Sequence, residues 1–330
     1  MTSTADPAPA ARLTVRSRAG SVGRRLLGRL FGVLLVLWGA ATLAFLSLRL
    51  IPGDPVDVML GPQAQISDAA KDQIREDLGL DRPPLEQYLD YLGRLLRGDF
   101  GESYQLRMPV ADVIGRQLVP TLQLTGLAIA IAVLISLGVA LLARGRTARR
   151  VVSLLELILV SSPVFWIGLL LLTVFSFTLH WFPVSGGNGV ESLVLPAVTL
   201  ALPISALLSQ VLRFGLDEAE AQPFATTVRA RGASEPRLLL RHTLRHASQS
   251  AVTLAAYIVG SLIGGAVLVE TVFGRPGIGR VTLTAITDRD IPVVMGVILL
   301  TALVFVVVNL LVDVAYQLLD PRLRSRGGRS

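Results

Sequence analysis

The sequence lacks cysteine entirely, and Lys71 is the only lysine among its 31 basic residues. The absence of cysteine excludes disulfides, thiol catalysis and cysteine-ligated metals. Because Lys71 lies between Ala70 and Asp72, no phosphate-binding loop of the Walker A type can form around it. The chain therefore has no recognisable ATP site of its own, and we expect no cofactor in it.

Long apolar runs dominate what is present. The 330 residues are 52% hydrophobic and have a mean hydropathy of +0.61, which is more apolar than soluble domains. The net charge of +7 and the isoelectric point near 10.6 are also typical of nucleic-acid-binding proteins. Here the arginines flank apolar runs, so orientation in a lipid bilayer explains them better. We expect an all-α membrane protein with no nucleic-acid partner.

Six stretches approach the roughly 20 apolar residues that a helix needs to cross about 30 Å of hydrocarbon. Two prolines, Pro196 and Pro203, interrupt the fourth, and membrane helices tolerate such prolines when neighbours satisfy the freed carbonyls. The six predicted transmembrane helices are Leu30–Leu48, Leu122–Ala143, Leu157–Leu179, Leu193–Leu212, Ala251–Val272 and Val294–Leu319.

The placement of arginine predicts how these helices are oriented. With six spans, four arginine-rich segments fall on one side, which the positive-inside rule makes cytoplasmic. The third-to-fourth connection, His180–Ser192, has no lysine or arginine, and the three arginines of the fifth-to-sixth connection are a mild exception. The predicted organisation is a basic cytoplasmic segment at 1–29, a first transmembrane helix at 30–50, an extracytoplasmic segment at 51–116, a five-helix core at 117–320 with a cytoplasmic loop at 213–249, and a basic cytoplasmic tail at 321–330.

The first span has an alternative interpretation as a cleaved signal peptide. It is longer than most signal-peptide apolar regions, and Arg49–Pro55 offers no obvious small-residue cleavage site. We therefore expect the first apolar run to remain as a membrane helix.

Two short helices are predicted in the first extracytoplasmic segment. Ser67 can cap a helix over Asp68–Leu78 that Gly79 closes, and Pro84 can open a second that reaches Arg97. The second helix carries an apolar stripe, which favours packing on the membrane surface or on other spans. A contact with an extracytoplasmic partner is the alternative.

Few ionisable residues lie within the spans. Glu156, Glu270 and Asp313 are near span ends, and His180 is at an edge. Carriers driven by ion gradients usually hold such groups near the bilayer centre, so this placement argues against proton coupling. Interfacial anchoring or helix contact is the preferred interpretation of all four.

Small and polar residues inside the spans indicate helix packing. Gly260 and Gly264 fit a small-xxx-small pattern, and the alternative is that this thin surface, with Gly265, lines a path between two subunits. Asn309 and Gln210 are expected to make interhelical hydrogen bonds.

An ordered polar segment, Asp217–Pro236, connects the fourth and fifth spans. Helix is disfavoured at the residue before Pro223 and can restart there, which predicts a short helix over Pro223–Arg231. Gly232 is placed to end that helix in a left-handed conformation, and Ser234 can cap the next one.

The short helix has two possible binding roles. Phe224 and Val228 lie four residues apart on one face, which suits a groove on another protein. The alternative is a surface helix whose arginines bind anionic lipid headgroups.

The pair Glu218-Ala219 followed by Arg229-Ala230-Arg231-Gly232 resembles the coupling motif of binding-protein-dependent ABC transporter permeases. The resemblance covers nearly the whole chain and is to the dipeptide, oligopeptide and nickel branch. Its further runs, in order, are Arg25–Leu27 and Leu48–Pro55, Leu78–Pro83, Arg97–Tyr104, Ser162–Gly168, Trp181–Gly186, Gly264–Phe273, Pro276–Arg280, Arg289–Val294, Asn309–Asp313 and Leu319–Arg322.

The resemblance implies a bacterial inner-membrane permease of the ABC importer fold with a cytoplasmic coupling helix. It implies a second related permease, two cytoplasmic ATPase subunits that bind ATP and magnesium, and an extracytoplasmic solute-binding protein. ATP hydrolysis would occur in those ATPase subunits, so this chain is not expected to be an enzyme. The residues implied in ATPase coupling are Glu218, Ala219, Phe224, Arg229, Ala230, Arg231 and Gly232.

The solute is left open by the sequence. Di- or oligopeptides are the first expectation, and nickel, glutathione and oligosaccharides are handled by similar permeases. An ion-coupled secondary transporter and a non-transport membrane receptor remain as other classes. The chain also departs from the family pattern at Pro223-Phe224, Val228, His246 and Ser250, which leaves the individual docking contacts open.

Overall fold

The computed structural model describes residues 18–50, 56–57, 67–77, 79–186 and 189–319. Within these ranges regular structure is helical, apart from one β-bridge between Glu102 and Pro109, which confirms the all-α prediction. The helices are α1 (Arg18–Leu50), α2 (Asp68–Asp77), α3 (Pro84–Leu96), α4 (Val110–Leu142), α5 (Arg146–Ser161), α6 (Val164–Leu171), α7 (Glu191–Glu220), α8 (Pro223–Ala230), α9 (Glu235–Leu238), α10 (Leu244–Val272), α11 (Ile278–Thr287) and α12 (Ile291–Leu319). A π-helical turn over Leu172–Thr178 extends α6, and another over Leu239–Thr243 joins α9 to α10.

Four helices in the described ranges are long and apolar enough to cross a membrane. These helices are α1, α4, α7 and α12. Their candidate membrane spans are, in the same order, Leu27–Ser47, Val110–Leu142, Glu191–Glu220 and Ile291–Leu311. The bent pair formed by α5 and α6 makes a fifth if it counts as one span. The fifth predicted stretch, Ala251–Val272, lies within the 29-residue helix α10.

The predicted third span, Leu157–Leu179, is not one continuous helix. The chain bends by 107° between α5 and the segment Val164–Thr178. Ser162 adopts an extended conformation with ψ 135°, and Pro163 follows with ψ 134°. Proline disfavours helical backbone at the residue before it, so the break falls there.

The core is centred on α7, which packs against α4 on one side and α10 on the other. Ala128 of α4 and Ala197 and Ala201 of α7 are fully buried, and such small residues let helix backbones approach closely. Leu124, Leu200 and Val269 fill the space between the three helices. Although Pro196 and Pro203 lie inside α7, the helix continues through both.

Two predictions about residues within the spans are not met by contacts inside this chain. Gly264 is exposed, and a Cβ built there would meet nothing within 4 Å, so it makes no close helix contact in the described part of the chain. A Cβ built on its neighbour Gly265 would lie 3.7 Å from the side chain of Leu200, an ordinary van der Waals contact. Asn309 donates its hydrogen bond to the carbonyl of Phe305 in its own helix, at 2.8 Å, rather than to another helix.

Candidate functional site

The polar segment between α7 and α10 forms a short helix where the sequence predicts one. The chain leaves α7 at Glu220, and Gln222 is extended with ψ 149°. Pro223 then starts α8, as its fixed φ and missing N–H favour at the first helical position. The helix ends at Ala230, one residue earlier than predicted.

Gly232 ends α8 in the left-handed conformation, with φ +79°. The Gly232 N–H donates to the carbonyl of Arg229 at 2.9 Å, and the Ala233 N–H donates to the carbonyl of Val228 at 3.3 Å. These two bonds form the Schellman arrangement that satisfies the last carbonyls of a helix. A side chain at position 232 would have open space but a strained backbone.

An ion pair closes the turn that follows α8. Arg229 donates from Nε and from one terminal nitrogen to the two carboxylate oxygens of Glu235, at 2.8 and 3.3 Å. The hydrogen bond raises the pKa of Arg229 and lowers the pKa of Glu235. Both side chains are exposed, so the pair holds α8 to α9 with little net energy.

Two further ion pairs hold the end of α7 to the start of α5 and to the connection that precedes it. Arg149 forms a two-pronged pair with Asp217, both distances being 2.9 Å. Arg144 lies 3.5 Å from Glu220. These contacts were not predicted from the sequence, although the basic second-to-third connection faces the acidic end of α7 if both lie on one side of the membrane.

The predicted coupling residues divide into an outer and an inner set. Glu218, Arg229, Ala230, Arg231 and Gly232 are exposed. By contrast, Ala219 is buried at 4% exposure, and the fully buried Ala225, which the sequence analysis did not single out, lies on the inner side of α8.

Phe224 is half-buried rather than free for a partner's groove. Its ring lies 4.9 Å from the ring of His246 on α10, at an interplanar angle of 32°. Phe224 and His246 are both departures from the family pattern, and the fold brings them into contact. The prediction that Phe224 offers its ring outward together with Val228 is therefore only partly met.

The base of this segment is a close crossing of α7 and α10. A Cβ on Gly215 would lie 2.9 Å from the Cα of Ala247, so only glycine fits there without a shift. Leu216 and Leu239 are buried beside Ala247 in the cluster below the segment. We refer to Asp217–Leu238, with α8 at its centre, as the coupling segment.

A second polar centre lies where α4, α10 and α11 meet. Glu270 of α10 is fully buried, and it accepts a hydrogen bond from the Thr121 hydroxyl at 2.6 Å and one from the Arg280 N–H at 3.1 Å. The Thr121 oxygen in turn accepts from the Ile278 N–H at 2.8 Å. The carboxylate and hydroxyl thus satisfy N–H groups at the start of α11, which carry partial positive charge.

Two glycines make this contact possible. A Cβ on Gly277 would overlap the Glu270 carboxylate, and a Cβ on Gly279 would overlap the backbone of Val267. We call Thr121, Glu270, Gly277 and Gly279 the Glu270 lock. Glu270, Gly277 and Gly279 come from two of the runs that carry the family resemblance, whereas Thr121 lies outside all of the runs, and neither run alone reveals that these residues touch.

Asp290 forms a similar buried centre at the junction of α11 and α12. Its carboxylate accepts hydrogen bonds from the Ser103 hydroxyl and from the N–H groups of Tyr104, at 3.2 Å, and Gln105, at 3.4 Å. The Gln105 side chain also donates to the carbonyl of Asp288 at 3.0 Å. These bonds fix the loop before α4 to the start of α12.

The ionisable residues that the sequence places at span ends can now be compared with their surroundings in the fold. Glu156 of α5 is buried at 4% exposure and bonds to Ser209 and Arg213 of α7. Glu156 and Glu270 thus match the prediction of helix contact. His180 is exposed, and the side chain of Asp313 lies outside the described residues.

The fold and these centres define a helical protein with several helices long and apolar enough to cross a membrane. Residues 128–325 match the model for the binding-protein-dependent transport system inner membrane component, and residues 22–125 match the model for its N-terminal part. The chain therefore belongs to this family, the ABC importer permeases of the peptide and nickel type, and it is a multi-pass inner-membrane protein.

Curated relatives agree with this assignment, and one solved structure shares the fold. The chain is 36% identical over 302 residues to the glutathione transport system permease protein GsiC of Salmonella choleraesuis, covering 91% of this chain and 98% of the relative. It is 35% identical over the same length and coverage to the GsiC of Escherichia coli K12. In fold it is similar to a chain from the crystal structure of an amino acid ABC transporter with histidines, at a TM-score of 0.50 and 17% identity, covering 62% of this chain and 92% of that one.

Proposed function

We propose that this chain is the transmembrane subunit of an ATP-driven, binding-protein-dependent importer, and that α8 is its coupling helix. The observation that carries the proposal is the coupling segment itself. It presents Glu218, Arg231 and the exposed side of α8 to the outside of the chain, while Ala219 and Ala225 fix its inner side. A second permease, two ATPase subunits that bind ATP and magnesium, and an extracytoplasmic binding protein would complete the assembly.

Force from an ATPase subunit would reach the membrane helices through short, stiff connections. On one side α8 follows α7 after two residues, and on the other the Arg229–Glu235 pair joins it to α9. The Gly215–Ala247 crossing and the contact of Phe224 with His246 then join both sides at α10. Tightly packed elements move as units, so a displacement of α8 would shift α7 and α10 together.

The proposed topology has six spans and both termini in the cytoplasm. The helices α1, α4, α7, α10 and α12 each supply one span, and the bent pair α5–α6 supplies the other. This arrangement places the coupling segment and the basic connection with Arg144 and Arg149 on the same side, as their ion pairs require. The exposed Gly264 surface of α10 would face the second permease across the translocation path.

For the solute we propose a small peptide, with glutathione included in that class. Support comes from the family's peptide branch and from the relatives named as glutathione transport permeases. Glutathione is a tripeptide, so the two expectations differ in specificity rather than in chemistry. Nickel is the remaining alternative for this branch, and the binding protein would largely decide among them.

Purification of the tagged chain from its native membrane in mild detergent tests the assembly. We expect an ATPase and a second permease to co-elute, and uptake in proteoliposomes to require ATP and the binding protein. If the chain elutes alone and transports in response to an ion gradient without ATP, the ion-coupled alternative is correct. If it binds partners but moves no solute, the receptor alternative is correct.

Site-directed cross-linking tests the role of α8 separately. Because the chain has no cysteine, Ala230→Cys introduces a single thiol on the exposed side of α8. We expect a short bifunctional reagent to join it to the ATPase subunit, and the control Leu43→Cys in α1 to give no such product. Equal yields from both variants would contradict the docking of α8.

A further inference from the structure

Helix α3 lies across one end of α1 and is held there by aromatic and polar contacts. Phe45 of α1 lies 5.3 Å from the Tyr88 ring and 5.9 Å from the Tyr91 ring, measured between centroids. The hydroxyl groups of Tyr88 and Thr42 are 2.7 Å apart, and Arg49 donates to the Gln87 side chain at 2.9 Å. Tyr91 also packs toward Leu299 of α12. These side-chain contacts hold α3 to the bundle.

These contacts place α3 at the boundary of the membrane. They fall between Thr42 and Arg49, which are the last turns of α1, whereas the apolar span of α1 runs over Leu27–Ser47. The end of a span lies at the junction of hydrocarbon and headgroups. This depth follows whichever way α1 is oriented, so the inference does not rest on the proposed function.

The surface of α3 is divided into three sectors. At about 100° per residue, the sectors are centred roughly 120° apart around the helix. The first packs on the bundle, the second is apolar and exposed, and the third is polar and exposed. The first contains Tyr88, Tyr91 and Leu95; the second contains Leu85, Leu89 and Leu96, which are 67%, 58% and 90% exposed; and the third contains Glu86, Asp90, Arg94 and Arg97.

We propose that the apolar exposed sector of α3, Leu85, Leu89 and Leu96, inserts into the lipid leaflet at the end of α1. A helix at this boundary meets protein, hydrocarbon and water in three directions, which matches its three sectors. The neighbouring lipid-facing surface of α1 continues at the same depth with Leu43 and Leu46, which are 65% and 48% exposed. Burial of these apolar side chains in hydrocarbon would favour holding α3 at the membrane surface.

The size of the patch favours lipid over a protein partner. Three leucine side chains supply at most a few hundred Å² of apolar surface, whereas a stable protein interface needs roughly 800 Å² from each partner. The polar sector that borders the patch carries both acidic and basic groups, with Asp90 paired to Arg82 at 3.0 Å. Such a sector suits water and headgroups on the outer side of an interfacial helix.

Spin-label accessibility tests this placement directly. The cysteine-free chain allows single-thiol variants Leu85→Cys, Leu89→Cys and Leu96→Cys, with Glu86→Cys and Arg97→Cys as controls in the polar sector and Leu43→Cys as the lipid control. The full chain, with the subunits that co-purify, is placed in nanodiscs of phosphatidylethanolamine and phosphatidylglycerol. Collision of each label with oxygen and with a water-soluble nickel chelate is then measured.

We expect the three leucine positions to behave like position 43, with high oxygen collision and severalfold lower nickel collision than positions 86 and 97. High nickel collision at 85, 89 and 96 would place the sector in water and overturn the proposal. Low collision with both reagents would mean that a protein covers it, and would also overturn the proposal. Because all three side chains are mostly exposed, the substitutions remove little packing within the chain, and elution volume in detergent verifies the fold.

Discussion

The two ends of the permease core hold their chain segments by different means. At the Glu270 lock and around Asp290, buried carboxylates receive hydrogen bonds from N–H groups and hydroxyls, and glycines allow backbones to touch. At the coupling segment, an exposed ion pair and an exposed glycine turn hold α8. A buried, fully satisfied carboxylate is costly to disturb, whereas an exposed ion pair contributes little.

This difference predicts how substitutions act at each end. Opening the exposed Arg229–Glu235 pair should cost little energy, so a change there should leave the packed core intact. At the Glu270 lock, by contrast, the backbone of Val267 would collide with any larger residue at position 279, so a substitution there should disturb the packed core. Substitutions at the Glu270 lock and around Asp290 should therefore lower stability, whereas substitutions in the coupling segment should lower transport at nearly unchanged stability.

The largest effect is expected for Gly279→Ala. The new Cβ would overlap the backbone of Val267, which cannot move aside as a flexible side chain could. Overpacking of this kind costs about 1–3 kcal/mol, and occasionally more. We expect a lower melting temperature in detergent and a lower yield. The matched control is Gly93→Ala, a helical glycine with nothing within 4 Å, and equal melting of the two variants would disprove the lock.

A smaller loss of stability is expected for Asp290→Asn. Both oxygens of the Asp290 carboxylate accept hydrogen bonds, from Ser103, Tyr104 and Gln105. In asparagine the NH₂ group would replace one of these oxygens and would face a donor that it cannot satisfy. Leaving a buried hydrogen-bonding group unsatisfied costs on the order of 1–3 kcal/mol. The control, Asp288→Asn, changes an exposed side chain two residues away. Thermal melting should fall for the first variant and stay unchanged for the second.

The structure of the coupling segment could be predicted from the sequence, whereas that of the Glu270 lock could not. The boundaries of α8 follow from Pro223 and Gly232, whose effects act on their own backbone. The helices α2 and α3 follow in the same way from Ser67, Pro84 and the glycines after them. The coupling function of the segment stays a prediction, since it concerns a protein that is not part of the chain.

The Glu270 lock could not be predicted because its partners are far apart in sequence. Thr121 and Glu270 are separated by 149 residues, and nothing local indicates that they meet. The bend at Ser162 shows the same limit, since proline breaks the helix there but α7 continues through Pro196 and Pro203. Whether neighbouring helices satisfy the freed carbonyls decides between these outcomes, and that is a property of the packed bundle.

A loss of coupling without a large loss of stability is expected for Gly232→Val. The position has a φ of +79°, which a β-branched residue adopts only at a cost of about 1–2 kcal/mol, so the end of α8 should be distorted. Asparagine tolerates this conformation, and Gly232→Asn serves as the control. Transport in proteoliposomes should fall for valine and largely persist for asparagine. Normal transport by Gly232→Val at equal expression would show that the turn is dispensable.

The smallest effect is expected for Glu235→Gln, which removes the exposed pair with Arg229. Global melting should not change, while amide hydrogen exchange over residues 223–233 should become faster. The pKa of Glu235 is lowered below its ordinary value of 4.5, so the pair's contribution is fully present above pH 4.5 and is lost as the pH falls through the lowered pKa. Mildly acidic and neutral samples should therefore show the same protection once intrinsic exchange is corrected for. Loss of protection already at pH 6 would show that the pair does not hold α8. Exchange in the glutamine variant as slow as in the parent would show the same. The contact of Phe224 with His246 would then be the next candidate for holding α8.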